Sequence, residues 1–142
     1  MLGQPLKLFY QMKKINLACI IEDDPVHQML TQKYVELTGL VDNLIVCKNG
    51  KEAYNLLSAL IAAGEPVPEV ILLDLNMPVW DGWQFLEEFL KIPIEQKITI
   101  FILTSSINED DFIKAEMYNL SSNYLIKPIK LHELKTVLSK ID

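Results

Sequence analysis

The stretch INLACIIEDDP, residues 15–25, decides the architecture. An almost unbroken apolar run ends abruptly on three adjacent carboxylates, Glu22, Asp23 and Asp24, and a proline follows. Apolar residues without alternation read as a strand buried on both faces, as in a parallel sheet covered by helices. Two like charges ~4 Å apart repel by roughly 4 kcal/mol at an effective dielectric near 20. Three acids at the end of a buried strand therefore require a compensating partner.

Four further runs have the same character: 43–47 (NLIVC), 69–73 (EVILL), 98–103 (ITIFIL) and 123–126 (NYLI). Helical patterns separate them. Pro25 suits a first helical position, and Val26, Leu30, Val35 and Leu37 are predicted to form the inward face of the helix that follows. Ala53, Leu56, Leu57, Leu60 and Ile61 recur at three and four before Gly64. Phe85, Leu86, Phe89 and Leu90 mark a third helix. Asn108, followed by Glu109, Asp110 and Asp111, opens a fourth, because acids complement the positive end of the helix dipole. Leu131, Leu134, Leu138 and Ile141 mark the last. Strand and helix alternate five times, which predicts a parallel sheet with helices on both faces.

Composition narrows the function. The chain has 142 residues, half of them apolar and 23% charged, enough for one domain with one core. Its net charge is −6, and no basic cluster exceeds Lys13-Lys14, which argues against direct nucleic-acid binding. No apolar stretch approaches the ~20 residues that a membrane helix needs, and the first residues lack the apolar centre of a signal peptide. The expectation is a cytoplasmic protein. Cys19 and Cys47 lie inside apolar runs without a CxxC partner, so they read as buried free thiols rather than zinc ligands.

Ligands of doubly wound sheets bind at the carboxyl ends of the strands. Here those ends carry Glu22-Asp23-Asp24, Asp74, Thr104-Ser105 and Lys127-Pro128; the second strand ends on Lys48-Asn49. Each alone has an ordinary explanation, since acids before proline cap helices and Asp74 suits a turn. Together they form a chemical set. Carboxylate oxygens suit Mg²⁺, which keeps several waters and shares oxygens with phosphoryl groups. One more carboxylate can act as a nucleophile, while a hydroxyl and an amine bind phosphoryl oxygens.

The motifs IIEDDP (20–25), VILLDLNMPVWDGW (70–83), ILTSS (102–106) and NYLIKP (123–128) resemble the receiver domain of two-component response regulators. The resemblance implies a flavodoxin-like α/β fold, a five-stranded parallel sheet in the order 2-1-3-4-5. It makes residues 1–13 an N-terminal extension and 14–142 a stand-alone receiver domain like the chemotaxis regulators. It implies Asp74 as phosphoacceptor, with Asp23 and Asp74 binding Mg²⁺ directly and Glu22 through water. Asn76 would supply its backbone carbonyl to the metal. Thr104 and Lys127 would contact the phosphoryl group, Tyr124 would be the aromatic switch, and Lys127-Pro128 would be cis. Asp24, the third acid, is expected to cap the helix.

The implied function is a phospho-switch, not an enzyme beyond its own phosphorylation and autodephosphorylation. A sensor histidine kinase or a histidine phosphotransfer domain would donate the phosphoryl group. The surface formed by residues 107–141 would then control a separate partner, with phosphorylation-dependent dimerisation as one route. No effector follows Asp142 in the sequence, so output by docking is expected. The alternative is a pseudo-receiver that binds partners without phosphorylation. A Toprim domain would need a second acid where Asn76 stands, and so would a haloacid-dehalogenase phosphatase. No GxGxxG is present for a dinucleotide. His27 and His132 read as solvated helix-surface residues. Trp80 and Trp83 read as local packing, with a partner surface as the other option.

Overall fold

The computed structural model describes residues 14–141; the predicted extension 1–13 and the terminal Asp142 lie outside the described residues. Strands β1 (Ile15–Ile21), β2 (Val41–Cys47), β3 (Val70–Leu73), β4 (Thr99–Thr104) and β5 (Tyr124–Ile126) alternate with five helices. These are α1 (Pro25–Thr38), α2 (Gly50–Ala62), α3 (Gly82–Phe89), α4 (Glu109–Met117) and α5 (Leu131–Ser139). A single 3₁₀ turn, Ser121–Asn123, precedes β5. All strand pairs are parallel, in the order β2-β1-β3-β4-β5.

The sheet feeds two cores because successive strand residues point to opposite faces. Cys19, Ile21, Ile71, Leu73, Ile100 and Ile102 face one way and pack with Ala53 and Leu57 of α2, with Phe85, Leu86 and Phe89 of α3, and with Ala115 of α4. Ala18, Ile20, Val70, Leu72, Phe101 and Leu103 face the other way, toward Val35 of α1 and toward Leu134 and Leu138 of α5. Covering both faces explains why the strands read as continuous apolar runs.

Helix α1 differs from the sequence expectation. Its buried residues are Thr31, Val35 and Thr38, whereas Val26, Leu30 and Leu37 are exposed, as is Met29. Spacings of four and three put the two threonines and Val35 on one stripe, and the Thr38 hydroxyl is satisfied by donating to the Val35 carbonyl at 2.6 Å. A threonine so bonded can be buried by its methyl group, which residue-type patterning does not count as apolar. Leu90 and Leu131 are likewise exposed at helix ends.

Backbone bonds beyond the strand ends carry the sheet's order into the loops above it. The Glu22 N–H donates to the Cys47 carbonyl (3.0 Å), the Asp74 N–H to the Ile21 carbonyl (2.9 Å) and the Lys127 N–H to the Thr104 carbonyl (2.8 Å). Each chain is therefore held one residue past its strand, where the predicted site residues stand.

Candidate functional site

The carboxyl edge of the sheet gathers acids into an open cleft lined by Glu22, Asp23, Asp24, His27, Asp74, Asn76, Ser105 and Lys127. Glu22, Asp23 and Asp74 each offer a carboxylate oxygen, and those oxygens lie within 4.8 Å of one another. Glu22 and Asp74 are buried, and Asp23 is half-buried. Lys127 enters from the loop after β5, its side chain only 12% exposed, with Nζ 2.5 Å from Glu22 Oε1 and 3.6 Å from Asp74 Oδ1. The Lys127–Pro128 peptide bond is cis.

One ammonium does not balance three carboxylates. Burial, followed by the Glu22 charge, pushes Asp74 up to about 7, against the lowering effect of Lys127. The donor set of Glu22, Asp23 and Asp74 is all hard carboxylate oxygen, and this fits a divalent ion such as Mg²⁺ or Mn²⁺.

The motif residues around Asp74 serve the geometry in distinct ways. Asp81 is the N-cap of α3: its side chain accepts from the Gln84 N–H at 2.9 Å, and Gln84 Oε1 accepts from the Asp81 N–H at 3.4 Å. Gly82 follows because a Cβ there would stand 2.7 Å from the Asp74 carbonyl oxygen and 2.9 Å from Leu75 Cα. Its N–H also donates to the Leu75 carbonyl at 2.9 Å. The Asp-Gly pair thus clamps the start of α3 against the backbone of Asp74. Asn76 has an exposed side chain at the rim.

Asp24 caps α1, accepting from the Val26 N–H at 2.8 Å. Thr104 is fully buried at the end of β4, where its hydroxyl accepts from the Ser106 N–H at 3.2 Å, and Ser105 rather than Thr104 lines the cleft. Tyr124 donates its hydroxyl to the Ser106 carbonyl at 3.1 Å, and its ring packs on Phe112 with centroids 4.6 Å apart. Burial followed by the nearby Asp111 charge raises the Tyr124 hydroxyl above its ordinary value.

Sequence reasoning misses two groups. His27 is not a freely solvated surface residue: Nδ1 lies 3.1 Å from Lys127 Nζ. The signal for it is Pro25 at the first helical position, which puts residue 27 in the first turn, over the acidic strand end. Asp111 of α4 does more than complement the helix dipole. It accepts from the Trp83 indole N–H at 2.8 Å and from the Ser106 hydroxyl at 2.6 Å. Trp83 is buried and stacks on Tyr118 at 5.8 Å, while Trp80 packs on Tyr54 at 5.3 Å. Both tryptophans therefore pack within the domain, but on residues distant in the sequence rather than within their own loop. His132 is exposed.

Known proteins show the same arrangement of elements. The chain is 34% identical over 128 residues to the response regulator Rcp1 of Synechocystis sp., covering 87% of this chain and 84% of that protein. The manganese-bound form of Rcp1 superposes with a TM-score of 0.68 at 30% identity, covering 89% of this chain and 91% of that one. A two-component response regulator from Cytophaga hutchinsonii superposes with a TM-score of 0.80 at 30% identity, over 91% of this chain and 98% of that one. The phosphorylated form of RcpA, a cyanobacterial phytochrome response regulator, gives 0.72 at 28% identity, over 89% and 90%. The family model of the response regulator receiver domain matches residues 18–139, from within β1 to the end of α5. The chain belongs to the response regulator receiver domain family.

Proposed function

We propose that this receiver domain works as a phospho-switch, with Asp74 as the residue that carries the phosphoryl group. The observation that supports this most is the raised Asp74 carboxyl, buried beside Glu22 and Asp23 and within reach of Lys127. A buried carboxylate among acids is costly unless a cation offsets its charge. The donor is a phosphohistidine of a sensor kinase or a phosphotransfer protein. Its P–N bond breaks as the Asp74 oxygen bonds to phosphorus, and the leaving imidazole takes up a proton.

Glu22, Asp23 and Asp74, with the Asn76 carbonyl, are the groups that would hold Mg²⁺, Glu22 through water. When bound, the ion supplies positive charge against the acids and the phosphoryl oxygens. Lys127 gives an ammonium N–H to one phosphoryl oxygen, and the Thr104 hydroxyl gives a hydrogen bond to another. Phosphorylation adds charge and acceptor oxygens, so the Thr104 hydroxyl donates to one of them and, still accepting from the Ser106 N–H, draws the segment 105–108 with it. Tyr124, already bonded to the Ser106 carbonyl, follows the same segment.

Output falls to the surface of residues 107–141. Ile107, Phe112, Ile113, Met117 and Ile126 are exposed there, more apolar surface than a solvated helix and strand edge need. A separate protein, or a second phosphorylated copy, would cover it. The domain turns over no external substrate beyond its own phosphoryl group.

The test uses a small phosphodonor with Mg²⁺. Intact-mass measurement should find one added phosphoryl group, lost in Asp74→Asn, and Trp83 emission should change on adding beryllofluoride with Mg²⁺. A wild-type protein that never gains the group, yet still binds a partner, would establish the pseudo-receiver reading instead.

A further inference from the structure

Three groups converge on the Lys127 ammonium from three elements, and one of them has no part in the reaction as proposed. Glu22 Oε1, past β1, lies at 2.5 Å and Asp74 Oδ1, past β3, at 3.6 Å. The third is Nδ1 of His27, in the first turn of α1, at 3.1 Å. A lysine ammonium has three N–H donors and no acceptor. A ring nitrogen facing it at hydrogen-bond distance must therefore present its lone pair, so the imidazole carries its hydrogen on Nε2. The contacts to Glu22 and His27 lie within hydrogen-bond range, and the one to Asp74 lies outside it. The cation is thus held beside the Asp74 carboxylate but not bonded to it.

The position of His27 is itself fixed. The Asp24 cap bonds the Val26 N–H at 2.8 Å and starts the helix at Pro25, two residues before the histidine. The carboxylates of Asp24 and Glu22 stand 3.7 and 4.0 Å from Nδ1, too far to take its place as hydrogen-bond partners of the ring.

We propose that His27 is a positioning residue for Lys127: it occupies one ammonium hydrogen in the resting protein and keeps the cation off the Asp74 oxygens until a phosphoryl oxygen competes for it. The inference rests on the aspartyl-phosphate reading above. Without the imidazole, the ammonium closes onto Asp74 and ties up the electron pairs that attack phosphorus. The carboxylate then reacts more slowly, while donor binding is unchanged.

The experiment follows phosphorylation of the whole chain by phosphoramidate with saturating Mg²⁺, in wild type, His27→Leu and His27→Gln, with Asp74→Asn as the blank. His27→Leu should lower the rate at saturating donor by about tenfold to a hundredfold, the size expected for one hydrogen bond to a charged group. The half-saturating donor concentration should stay the same. His27→Gln, whose carbonyl oxygen accepts from Lys127, should restore the rate to within about twofold. Nitrogen NMR of the neutral imidazole, with no donor present, should show the Nε2–H tautomer alone in wild type and a fall back to the mixture of a free histidine in Lys127→Met. Wild-type rates in His27→Leu, equal losses in the Leu and Gln variants, or an Nδ1–H tautomer in wild type would each overturn the proposal. If wild type itself takes no phosphoryl group, the underlying reading fails, and the tautomer measurement still decides whether His27 holds Lys127.

Discussion

Helices α3 and α4 each follow a loop of the candidate site, yet the fold treats them in opposite ways. Gly82, Trp83, Phe85, Leu86 and Phe89 of α3 are buried, and the helix starts in contact with the Asp74 backbone. In α4 only Ala115 is buried, while Phe112, Ile113 and Met117 face outward. Both have good N-caps, Asp81 and Asn108, so capping does not separate them. Buried apolar area does, and elements with little of it open locally below the global unfolding free energy. The proposed phospho-switch would draw on that division, with a firmly packed helix next to Asp74 and a lightly buried one free to respond.

The largest effect should come from cutting the same ring on each side. Phe85→Ala removes a fully buried side chain stacked on Phe89 at 5.0 Å, and should cost about 3–5 kcal/mol in urea denaturation. Phe112→Ala, at an exposed position on α4, should cost under ~1 kcal/mol and should alter partner binding more than stability. Equal costs would mean that α4 is as firmly seated as α3, and the division would fail.

Asp111 is the bond between the two helices. Its two oxygens hold the Trp83 indole on α3 and the Ser106 hydroxyl ahead of α4. Asp111→Ala leaves both donors without that acceptor, for an expected loss of about 1–2 kcal/mol. Trp83 emission should shift in the resting protein, and its response to beryllofluoride with Mg²⁺ should shrink, because the indole no longer senses the segment that moves. A full response in this variant would remove Asp111 from the coupling.

Much of this division is legible in the amino-acid sequence. The strands and the acidic edge follow from apolar runs that stop on polar residues, since a strand buried on both faces can change to polar only where it leaves the sheet; the strand order is legible only through the resemblance to receiver domains. The seating of α1 is not legible. Its inward stripe contains Thr31 and Thr38, while Val26 and Leu30 are exposed. The Trp83–Asp111 and Lys127–His27 contacts join residues 28 and 100 positions apart. No local periodicity encodes a pairing at that separation; only the sheet order makes it.

Asp74 gives a pH test that falls unequally on the two helices. Its folded value of about 7 lies above its ordinary 3.8. Between those values the metal-free folded protein holds a proton that the unfolded chain releases. Stability therefore falls as pH rises from about 4 to 7 and, for this group, is level above. Amide protection factors in α3, where exchange needs global opening, should rise on acidification through that window once the pH dependence of the intrinsic rate is divided out. Protection factors in α4, which needs only local opening, should stay level. Metal binding has the opposite slope. A protonated Asp74 must release its proton to act as a ligand, so Mg²⁺ affinity should drop about tenfold per unit below pH 7, measured by Trp83 emission.

A small effect of opposite sign lies in the loop that joins Asp74 to α3. Val79 has φ +68° with its side chain exposed. A β-branched residue in the left-handed region is strained, whereas asparagine or glycine adopts it with little cost. Val79→Asn should therefore stabilise the protein by about 1 kcal/mol in urea denaturation, without touching a core contact. The next residue anchors the loop, since the Trp80 carbonyl accepts from the Gly50 N–H at 3.3 Å and its ring packs on Tyr54. Relief at position 79 should thus leave the clamp at Gly82 intact and keep the phosphorylation rate within about twofold of wild type. A large rate change in this variant would mean that the strained turn sets the Asp74 geometry, and that the fixed side of the molecule is less rigid than the packing of α3 implies.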